Sequence, residues 1–479
     1  MPSFEEGMTM TRFIALVLTA ISLSCQAGES IKIGNNVQLM VDDALIERQI
    51  NGERVYHRPT PKEVAITTDA PWEGNVSAYF TFLQDGDEFR AYYRGSHYDT
   101  ERKLVTHREV TCVAVSKDGI TWSKPKLGIW EFDGNKQNNI VWDGIGTHCF
   151  APFIDTNPDC LPEQRYKAVS RGRYVTGDFE VPSRQKGITG LYLFASADGL
   201  NWKQISDTPV ITDGAFDSQN IAFWDSNKNK YVCYSRLFIN GVRAIQYCES
   251  DDFRHWTKPI PINYAKAYRE HLYTNAIQQY SRNPSLYIGL PTRYLPKEDS
   301  RVEPIFMHSH DGINFIRHSE AFIPESFPKE RSGNRSNYAC RGILTLPHNA
   351  NTLSIYGSEA YYTGKDSRVR RFELRTDGFA SIRATGQAQI VTKPILIEGD
   401  AIYLNNQTRG KGSIWVDLLD KNDKPIPGFS KYEANSMGGD SVHNEVVWKQ
   451  GRSLKELRGK AVKIHITFSS TDLYSIQIK

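Results

Sequence analysis

A seven-residue pattern, Ser-x-Asp-Gly-x-x-Trp, constrains the fold of this chain more than any other feature. It occurs as "SKDGITW" at 116–122 and as "SADGLNW" at 196–202. The Asp can hydrogen-bond nearby backbone, the Gly can take a positive φ and the Trp can cover the turn from the next strand, so the pattern predicts a tight turn between two β-strands. Looser copies, "SDDFRHW", "SHDGINF" and "RTDGFAS", start at residues 250, 309 and 375. Copies at such intervals are typical of the blades of a β-propeller.

Each copy of the pattern follows two apolar strands joined by a turn rich in Asp, Asn, Gly or Pro. These hairpins cover residues 75–95, 149–172, 220–236, 274–293 and 341–359. Two strands, a third strand, the patterned turn and a fourth strand make one blade. We therefore predict an all-β chain with a five-bladed β-propeller catalytic domain at 28–385.

After residue 385 the patterned turns stop, but alternating strands such as "SIWVDLLD" and "AVKIHITFS" continue. This arrangement predicts a β-sandwich accessory domain at 386–479. The aromatic fraction of 11% also favours strands. The net charge of +3 is too small to indicate a nucleic acid or an anionic membrane as partner.

The N-terminus is typical of an export signal. An apolar run, "FIALVLTAISL", follows Arg12 and precedes Cys25-Gln26-Ala27, which predicts a signal peptide at 1–27 and a periplasmic or secreted protein. A lipid anchor on Cys25 is the alternative. The run is too short to span a membrane, and no second apolar stretch reaches that length.

Six cysteines follow the predicted cleavage site, at 112, 149, 160, 233, 248 and 340. None forms a C-x-x-C pair, so we expect no metal site and no cofactor. Whether the cysteines form disulfides, and how many chains associate, stays open.

The geometry of a propeller indicates where the functional site lies. Residues just before each first strand, and at the end of each second strand, meet at one mouth of the central channel. The acids at these positions are Glu73, Asp217, Glu270 and Glu359. The candidate substrate-binding residues there are Asn75, Arg94, His97, His148, Arg171, Gln219, Arg236, His271, Asn275 and Arg293. Arg335, in the basic stretch that leads into the fifth hairpin, is a further candidate.

Cleavage of a glycosidic bond needs one carboxylic acid to protonate the leaving oxygen and one carboxylate to activate water or attack the anomeric carbon. The predicted architecture resembles the five-bladed glycoside hydrolases of the arabinanase, fructosidase and neoagarooligosaccharide hydrolase type, and the turn pattern resembles the Asp boxes of sialidases. The resemblance implies a glycosidase in which Glu73 is the base or nucleophile, Asp217 tunes a pKa or stabilises the transition state, and Glu270 is the general acid.

The arginines point to the substrate. Arg94, Arg171, Arg236 and Arg293 follow four second strands, and with Arg331 and Arg335 they outnumber the four acids. Guanidinium groups suit carboxylates and sulfates, which predicts an exo-acting hydrolase of sulfated or uronate-bearing oligosaccharides, such as algal walls provide. A carbohydrate-binding propeller without catalysis, and a glycoside phosphorylase that uses the arginines for phosphate, are the alternatives.

Overall fold

The computed structural model describes residues 30–172, 189–265, 270–298, 300–325 and 337–479. Regular structure in these ranges consists of β-strands and short 3-10 helices, which confirms the predicted all-β class. The 3-10 helices are Thr147–Cys149, Pro162–Gln164, Lys449–Gly451 and Leu454–Leu457.

Within the described ranges, five sets of antiparallel strands, called sheets A to E, follow one another along the chain, and each begins with one of the predicted hairpins. Sheets A and E are joined into one eight-stranded sheet. Sheet A contains Ala78–Asp85, Glu88–Gly95, Val110–Ser116 and Ile140–Trp142. Sheet B contains Ala151–Ile154, Tyr166–Arg171, Leu191–Ser196 and Lys203–Gln204. Sheet C contains Ile221–Asp225, Lys230–Ile239, Val242–Ser250 and Ile260–Pro261.

The remaining two of these sheets are irregular. Sheet D contains Gln278–Tyr280, Asn283–Gly289, Arg301–Ser309 and Asn314–Ala321, with Asn263–Ala265 added in parallel at its outer edge and a ribbon of His271–Leu272 and Thr292–Leu295 beside it. Sheet E contains Tyr338–Leu346, Asn349–Glu359, Arg368–Arg375 and Thr60–Thr67. A small ribbon, Tyr98–Asp99 with Leu104–Val105, lies outside the sheets.

The fourth strand of sheet E comes from the opposite end of the chain. The last copy of the turn pattern leads into Ala380–Thr392, which pairs elsewhere and would leave the outer edge of sheet E open. Thr60–Thr67 pairs with Arg368–Arg375 and covers that edge, whose free N–H and C=O groups need partners. Sheets A and E also meet through a parallel pair between Thr81 and Arg341.

Sheet F combines both ends of the described chain. It contains Gln38–Leu39, Ile46–Ile50, Glu53–Tyr56, Ala380–Thr392, Ile395–Leu396, Ile402–Leu419, Asp440–Glu445 and Ala461–Ile478. The three N-terminal strands pair with Ala380–Thr392 and Ala461–Ile478. The boundaries at 28–385 and 386–479 stay a prediction, but by strand pairing residues 38–56 are part of sheet F.

The patterned turns have the predicted geometry in four copies. In "SADGLNW", Oδ1 of Asp198 accepts from the backbone N–H groups of Leu200 and Asn201 at 2.8 Å each, and the Trp202 indole donates to the Gly199 carbonyl oxygen at 2.8 Å. Gly199 has a φ of +73°. The copies at 116, 250 and 309 hold their Asp in the same way. The copy at 375 differs, because its Asp377 takes the positive φ instead of the glycine.

The patterned turns also join neighbouring sheets. The Tyr92 hydroxyl of sheet A donates to the Gly199 carbonyl oxygen in the turn of sheet B at 2.9 Å. Tyr356 of sheet E makes the same bond to Gly119 of sheet A at 2.6 Å. The rings of Phe82 and Tyr356 stack at 3.8 Å between the same two sheets. The turns therefore link sheet E back to sheet A, and so bring the inner strands around a common channel.

Candidate functional site

A narrow cavity of about 20 Å³ lies among the inner strands at the predicted mouth. Its wall comes from the starts of first strands, the ends of second strands and the loops beside them: Ala78, Tyr79, Phe80, Gln219, Tyr273, Thr274, Tyr338, Ala339, Cys340, Ser358 and Tyr361. Sheets A and E and the loops before sheets C and D contribute, so this is where the sequence predicts side chains from different blades to meet.

His148 bridges two carboxylates beside this cavity. Its Nδ1 lies 2.9 Å from Oε2 of Glu109, and its Nε2 lies 2.8 Å from Oδ1 of Asp217. Each ring nitrogen of His148 thus contacts one carboxylate, and Nη1 of Arg94 lies 3.2 Å from Nδ1. Glu109, His148 and Asp217 form one hydrogen-bonded chain, which we call the carboxylate–histidine chain.

The backbone before sheet B explains the position of His148. Gly146 has a φ of +99°, and a Cβ on it would lie 2.6 Å from the Phe194 ring. Only glycine fits this turn, which leads into the 3-10 helix Thr147–Cys149 and places His148 just before the first strand of sheet B.

Three of the predicted arginines surround the carboxylate–histidine chain. Nη1 of Arg94 lies 3.8 Å from Oε1 of Glu109, and Nη1 of Arg171 lies 3.2 Å from Oδ1 of Asp217. Arg236 donates through Nε to the Ala215 carbonyl oxygen at 2.9 Å, two residues before Asp217. Three guanidinium groups thus lie near two carboxylates, so the cluster carries net positive charge.

Asp217 is both ionised and accessible. Burial raises the pKa of its carboxyl, but the hydrogen bond from His148 and the charges of His148, Arg171 and Arg236 outweigh burial and hold this pKa well below its usual range. Its side chain is 47% exposed, whereas that of Glu109 is 4% exposed. Asp217 can therefore contact a bound molecule, while Glu109 is buried behind His148.

Tyr79 has an unusual backbone conformation at the edge of the cavity. Its φ is +59°, at a bulge where the pairing of the first two strands of sheet A shifts register. Its ring lies 5.9 Å from that of His148 and 5.0 Å from the Arg94 guanidinium. A non-glycine residue at positive φ is held there by its surroundings and is common at functional sites.

Three further tyrosines complete the aromatic wall of the cavity. The ring of Tyr338 lies 5.9 Å from that of Tyr273 and 5.4 Å from that of Tyr361. Burial raises the pKa of Tyr361 to about 12, even though Arg94 beside it has the opposite effect. The hydroxyls stay protonated at neutral pH, and together with the rings they offer faces and donors of the kind that sugar rings use.

Glu73 lies in a separate, closed pocket. Its Oε1 accepts from the Tyr93 hydroxyl at 2.5 Å, and its Oε2 accepts from Nζ of Lys124 at 2.6 Å and from the Ala70 backbone N–H at 3.1 Å. The side chain is fully buried. These contacts favour a structural role over the base or nucleophile that the resemblance implies.

Glu270 faces the outer part of sheet D. Its Oε2 lies 3.0 Å from Nη1 of Arg317, on the fourth strand, and 3.5 Å from Nη1 of Arg293. Arg293 also pairs with Glu303. The second strand of sheet D ends at Gly289, and Pro291 interrupts the chain before the ribbon that holds Arg293. Arg293 is therefore not at a second-strand end, which corrects its predicted position.

Glu359 is fully buried at the end of the second strand of sheet E. Its Oε1 accepts from Nε of Arg368 at 2.8 Å and from Nη2 of Arg370 at 3.0 Å. Both arginines lie on the third strand of that sheet. This predicted binder is an internal ion pair of sheet E.

The predicted amides hold the backbone around the mouth. Asn75 donates to the carbonyl oxygens of Tyr98 and Gly364 at 3.0 Å each. Gln219 crosses from the loop before sheet C to the Phe80 carbonyl oxygen of sheet A at 3.0 Å. Asn275 donates to the Gln219 carbonyl oxygen at 3.2 Å. Of these three, only Gln219 lines the cavity.

The predicted histidines other than His148 have local partners. Nδ1 of His97 lies 3.0 Å from Oγ1 of Thr106. Nδ1 of His271 lies 3.2 Å from the backbone N of Arg243, and burial, with the charge of Arg243, lowers the pKa of His271. Arg331, Arg335 and the predicted signal peptide lie outside the described residues.

Sequence reasoning missed Glu109, the buried end of the carboxylate–histidine chain. It directly precedes the third strand of sheet A, Val110–Ser116, which starts at the mouth where the second strand ends. The start of a third strand is thus a third position that reaches this mouth. Arg243 follows the same rule in sheet C, with its guanidinium 5.3 Å from the Tyr273 ring.

Over the described ranges, no group of three His, Cys, Asp or Glu side chains is arranged to hold a metal ion. All six cysteines after the predicted signal are free thiols. No helix in the described part of the chain is long and apolar enough to span a bilayer.

No protein-family model matches the chain, and no curated protein matches it. Solved structures resemble it at low identity. A thermostable family-43 glycoside hydrolase is 13% identical over 66% of this chain and 92% of its own, with a TM-score of 0.44. A β-1,2-mannobiose phosphorylase from Listeria innocua is 12% identical over 67% and 96%, with a TM-score of 0.42. A β-fructofuranosidase from Bombyx mori is 11% identical over 88% and 94%, with a TM-score of 0.40.

Proposed function

We propose that this protein is a glycoside hydrolase whose active site is the cavity at the mouth of the channel. The observation that carries the proposal is the carboxylate–histidine chain, which presents an ionised, half-exposed Asp217 beside four tyrosines and three arginines. The test is hydrolysis of a panel of neutral, sulfated and uronate-bearing oligosaccharides, with the anomeric products followed by NMR.

Asp217 is the reacting carboxylate in this proposal. A nucleophile or base must be ionised at working pH, and Asp217 meets that requirement because positive neighbours lower its pKa. Its side chain is 47% exposed, against 29% for Glu270 and none for Glu73 and Glu359. Among the predicted acids it is therefore the best supported to meet a substrate, in a more direct role than the resemblance implies.

The proton for the leaving oxygen comes from a group other than Glu73 and Glu270, since both are ion-paired elsewhere. The candidate donors near Asp217 are a ring N–H of His148 and the tyrosine hydroxyls of the cavity. An aryl glycoside with an acidic leaving group needs little protonation. Three variants identify the donor: His148→Asn, Tyr79→Phe and Tyr361→Phe. The variant that lacks the donor should lose turnover of the natural substrate but keep turnover of the aryl glycoside.

The surplus of positive charge supports an anionic substrate. Arg171 is 21% exposed and Arg236 lies beside the Tyr273 ring of the cavity wall, so both can approach a sulfate or carboxylate group on a sugar stacked there. Exo-action is part of the proposal. Product analysis on oligosaccharides of increasing length tests it, since an exo-enzyme releases one short product throughout.

A glycoside phosphorylase is the second candidate, and the same arginines favour it because a phosphate ion could occupy their cluster. Turnover that depends on inorganic phosphate, with a sugar phosphate as product, would replace the hydrolase assignment. A binding protein is the third, and the ion pairs of Glu73, Glu270 and Glu359 favour it. Saturable binding of an oligosaccharide without any cleavage would select it.

The proposal includes the architecture and the location. Sheets A to E are the five blades of a propeller closed by Thr60–Thr67, and sheet F belongs to a β-sandwich packed beside it. Export by the N-terminal segment leaves a mature chain that starts at Gly28, in the periplasm or outside the cell. Mass spectrometry of the protein from its native host measures that N-terminus.

A further inference from the structure

The opposite mouth of the channel contains a second groove of about 270 Å³. The far ends of the inner strands of all five sheets line it, represented by Gln84, Ile154, Trp224, Gln278 and Ile343. None of its lining residues belongs to the cavity beside Asp217. The two openings are separate sites on one channel.

Among the described residues that line this groove, Arg341 is the one with a charged side chain. It sits at a bulge, because the pairing of the first two strands of sheet E shifts register between Ala339 and Ile343. Gly342 makes the bulge close-packed: its φ is +117°, and a Cβ on it would lie 2.4 Å from the Phe82 carbonyl oxygen. A larger residue at 342 would clash, so the backbone of sheet E is specialised at this point.

The guanidinium of Arg341 reaches across the channel. Its Nη1 donates to the Pro152 carbonyl oxygen of sheet B at 3.1 Å, and its Cζ lies 6.0 Å from the Phe223 ring of sheet C. The residue is 7% exposed, and its Nε is buried with no hydrogen-bond partner.

Arg341 has no acidic partner among the described residues. No carboxylate lies within 4.0 Å of its guanidinium, and burial lowers its pKa to about 10 with no neighbouring charge to counteract the effect. The buried arginine beside the cavity at the other mouth is different, since Arg94 has Glu109 as an acidic partner. A buried charge without a partner costs several kcal/mol, and folded proteins pair such charges.

We propose that Arg341 binds a small inorganic anion in the far groove, so that a diffusible ion supplies the counter-charge missing from the protein. The partner needs to be small because the guanidinium lies between strands of three sheets. It needs to accept hydrogen bonds, because Nε has no acceptor in the protein. This site does not depend on the proposed glycosidase activity.

Wild-type crystals grown in gluconate and soaked in sodium bromide give the direct test. We expect an anomalous peak within about 3.5 Å of the Arg341 guanidinium. Soaks in sodium sulfate distinguish a halide site from an oxyanion site, and either result supports the proposal. Water at this position in both soaks, or a protein carboxylate paired with Arg341, would overturn it.

Thermal unfolding gives a second readout in solution. At constant ionic strength, replacing gluconate by bromide or sulfate should raise the Tm of the wild type by about 2 °C or more, with saturation, because the ion binds only the folded state. Arg341→Gln should remove this dependence. Arg102→Gln, at a 75% exposed side chain, should keep it. A Tm that responds equally in wild type and Arg341→Gln would contradict the site even if the variant is less stable.

Discussion

Nε2 of His148 lies 2.8 Å from Oδ1 of Asp217, and the opposite nitrogen of the same ring contacts the buried Glu109. A histidine between two carboxylates is fixed in orientation. Its hydrogen bond and its charge lower the pKa of Asp217 beside the cavity. This relationship explains how a half-exposed carboxylate in a ring of aromatic side chains stays ionised.

Glu109 is expected to act as a positioning residue. Glu109→Gln replaces the carboxylate that orients His148 through Nδ1, which should weaken the hydrogen bond by which His148 lowers the pKa of Asp217. We expect kcat to fall about tenfold to a hundredfold and the acid limb of the pH profile to move to higher pH. The profile of kcat/KM against pH measures this. A uniform loss of activity with an unchanged profile would mean that Glu109 is only structural.

The acid limit of activity should depend on Arg171. The folded-state pKa of Asp217 is below that of the unfolded chain, so its ionised form, and the stability that form contributes, is present above about pH 4 and is lost only as the pH falls through the lowered value. Arg171→Met removes one positive charge and should raise this pKa. The acid limb of kcat/KM, measured from about pH 5 down to the lowest pH at which both proteins stay folded, should then move to higher pH. If the acid limb does not move, Arg171 does not influence the pKa of Asp217.

Glu73 should matter for stability more than for turnover. Lys124→Met leaves the buried Glu73 carboxylate without its cation and should lower the free energy of unfolding by about 3 kcal/mol, while the folded enzyme keeps near wild-type kcat. Lys117→Met, at a 76% exposed lysine paired with Glu88, is the matched control and should change little. Urea unfolding measures both. If folded Lys124→Met has lost a hundredfold in kcat, Glu73 belongs to the mechanism after all.

The arginines beside the cavity, and not Arg293, should discriminate between charged and neutral substrates. Arg171→Met and Arg236→Met should raise KM for a sulfated or uronate-bearing oligosaccharide by about tenfold or more, and change KM for its neutral analogue far less. Arg293→Met lacks contact with the carboxylate–histidine chain and should leave the ratio of the two KM values unchanged. Equal effects of all three variants on both substrates would contradict an anion-selecting site.

The fold was largely predictable because its signals are local. The Asp, Gly and Trp of the two complete copies contact one another within seven residues, so "SADGLNW" is recognisable without any tertiary information. The pairing of Thr60–Thr67 with sheet E, and of Glu53–Tyr56 with Ala380–Thr392, joins segments about 300 residues apart. The assembled sheets decide which open strand edge a distant segment covers. A local sequence pattern therefore does not predict such a pairing.

The sequence predicted the region of the candidate site better than it predicted the individual residues that form the site. Strand ends selected His148, Asp217, Arg94 and Arg171, which the structure brings together. The rule of strand ends also selected Glu73 and Glu359. This rule predicts the end of the sheet at which a residue lies, but it does not predict which neighbour the side chain contacts. Glu109 was missed because third-strand starts were left out, although they reach the same mouth.

The comparison of Asp217→Asn with wild type on a charged oligosaccharide tests the account most directly. Asp213→Asn, at an exposed position in the same loop, is the matched control. With all three proteins folded to the same extent, we expect Asp217→Asn to lower kcat at least about a hundredfold and Asp213→Asn to stay within about twofold of wild type. Near wild-type turnover by Asp217→Asn would contradict the claim that the carboxylate–histidine chain is the catalytic centre.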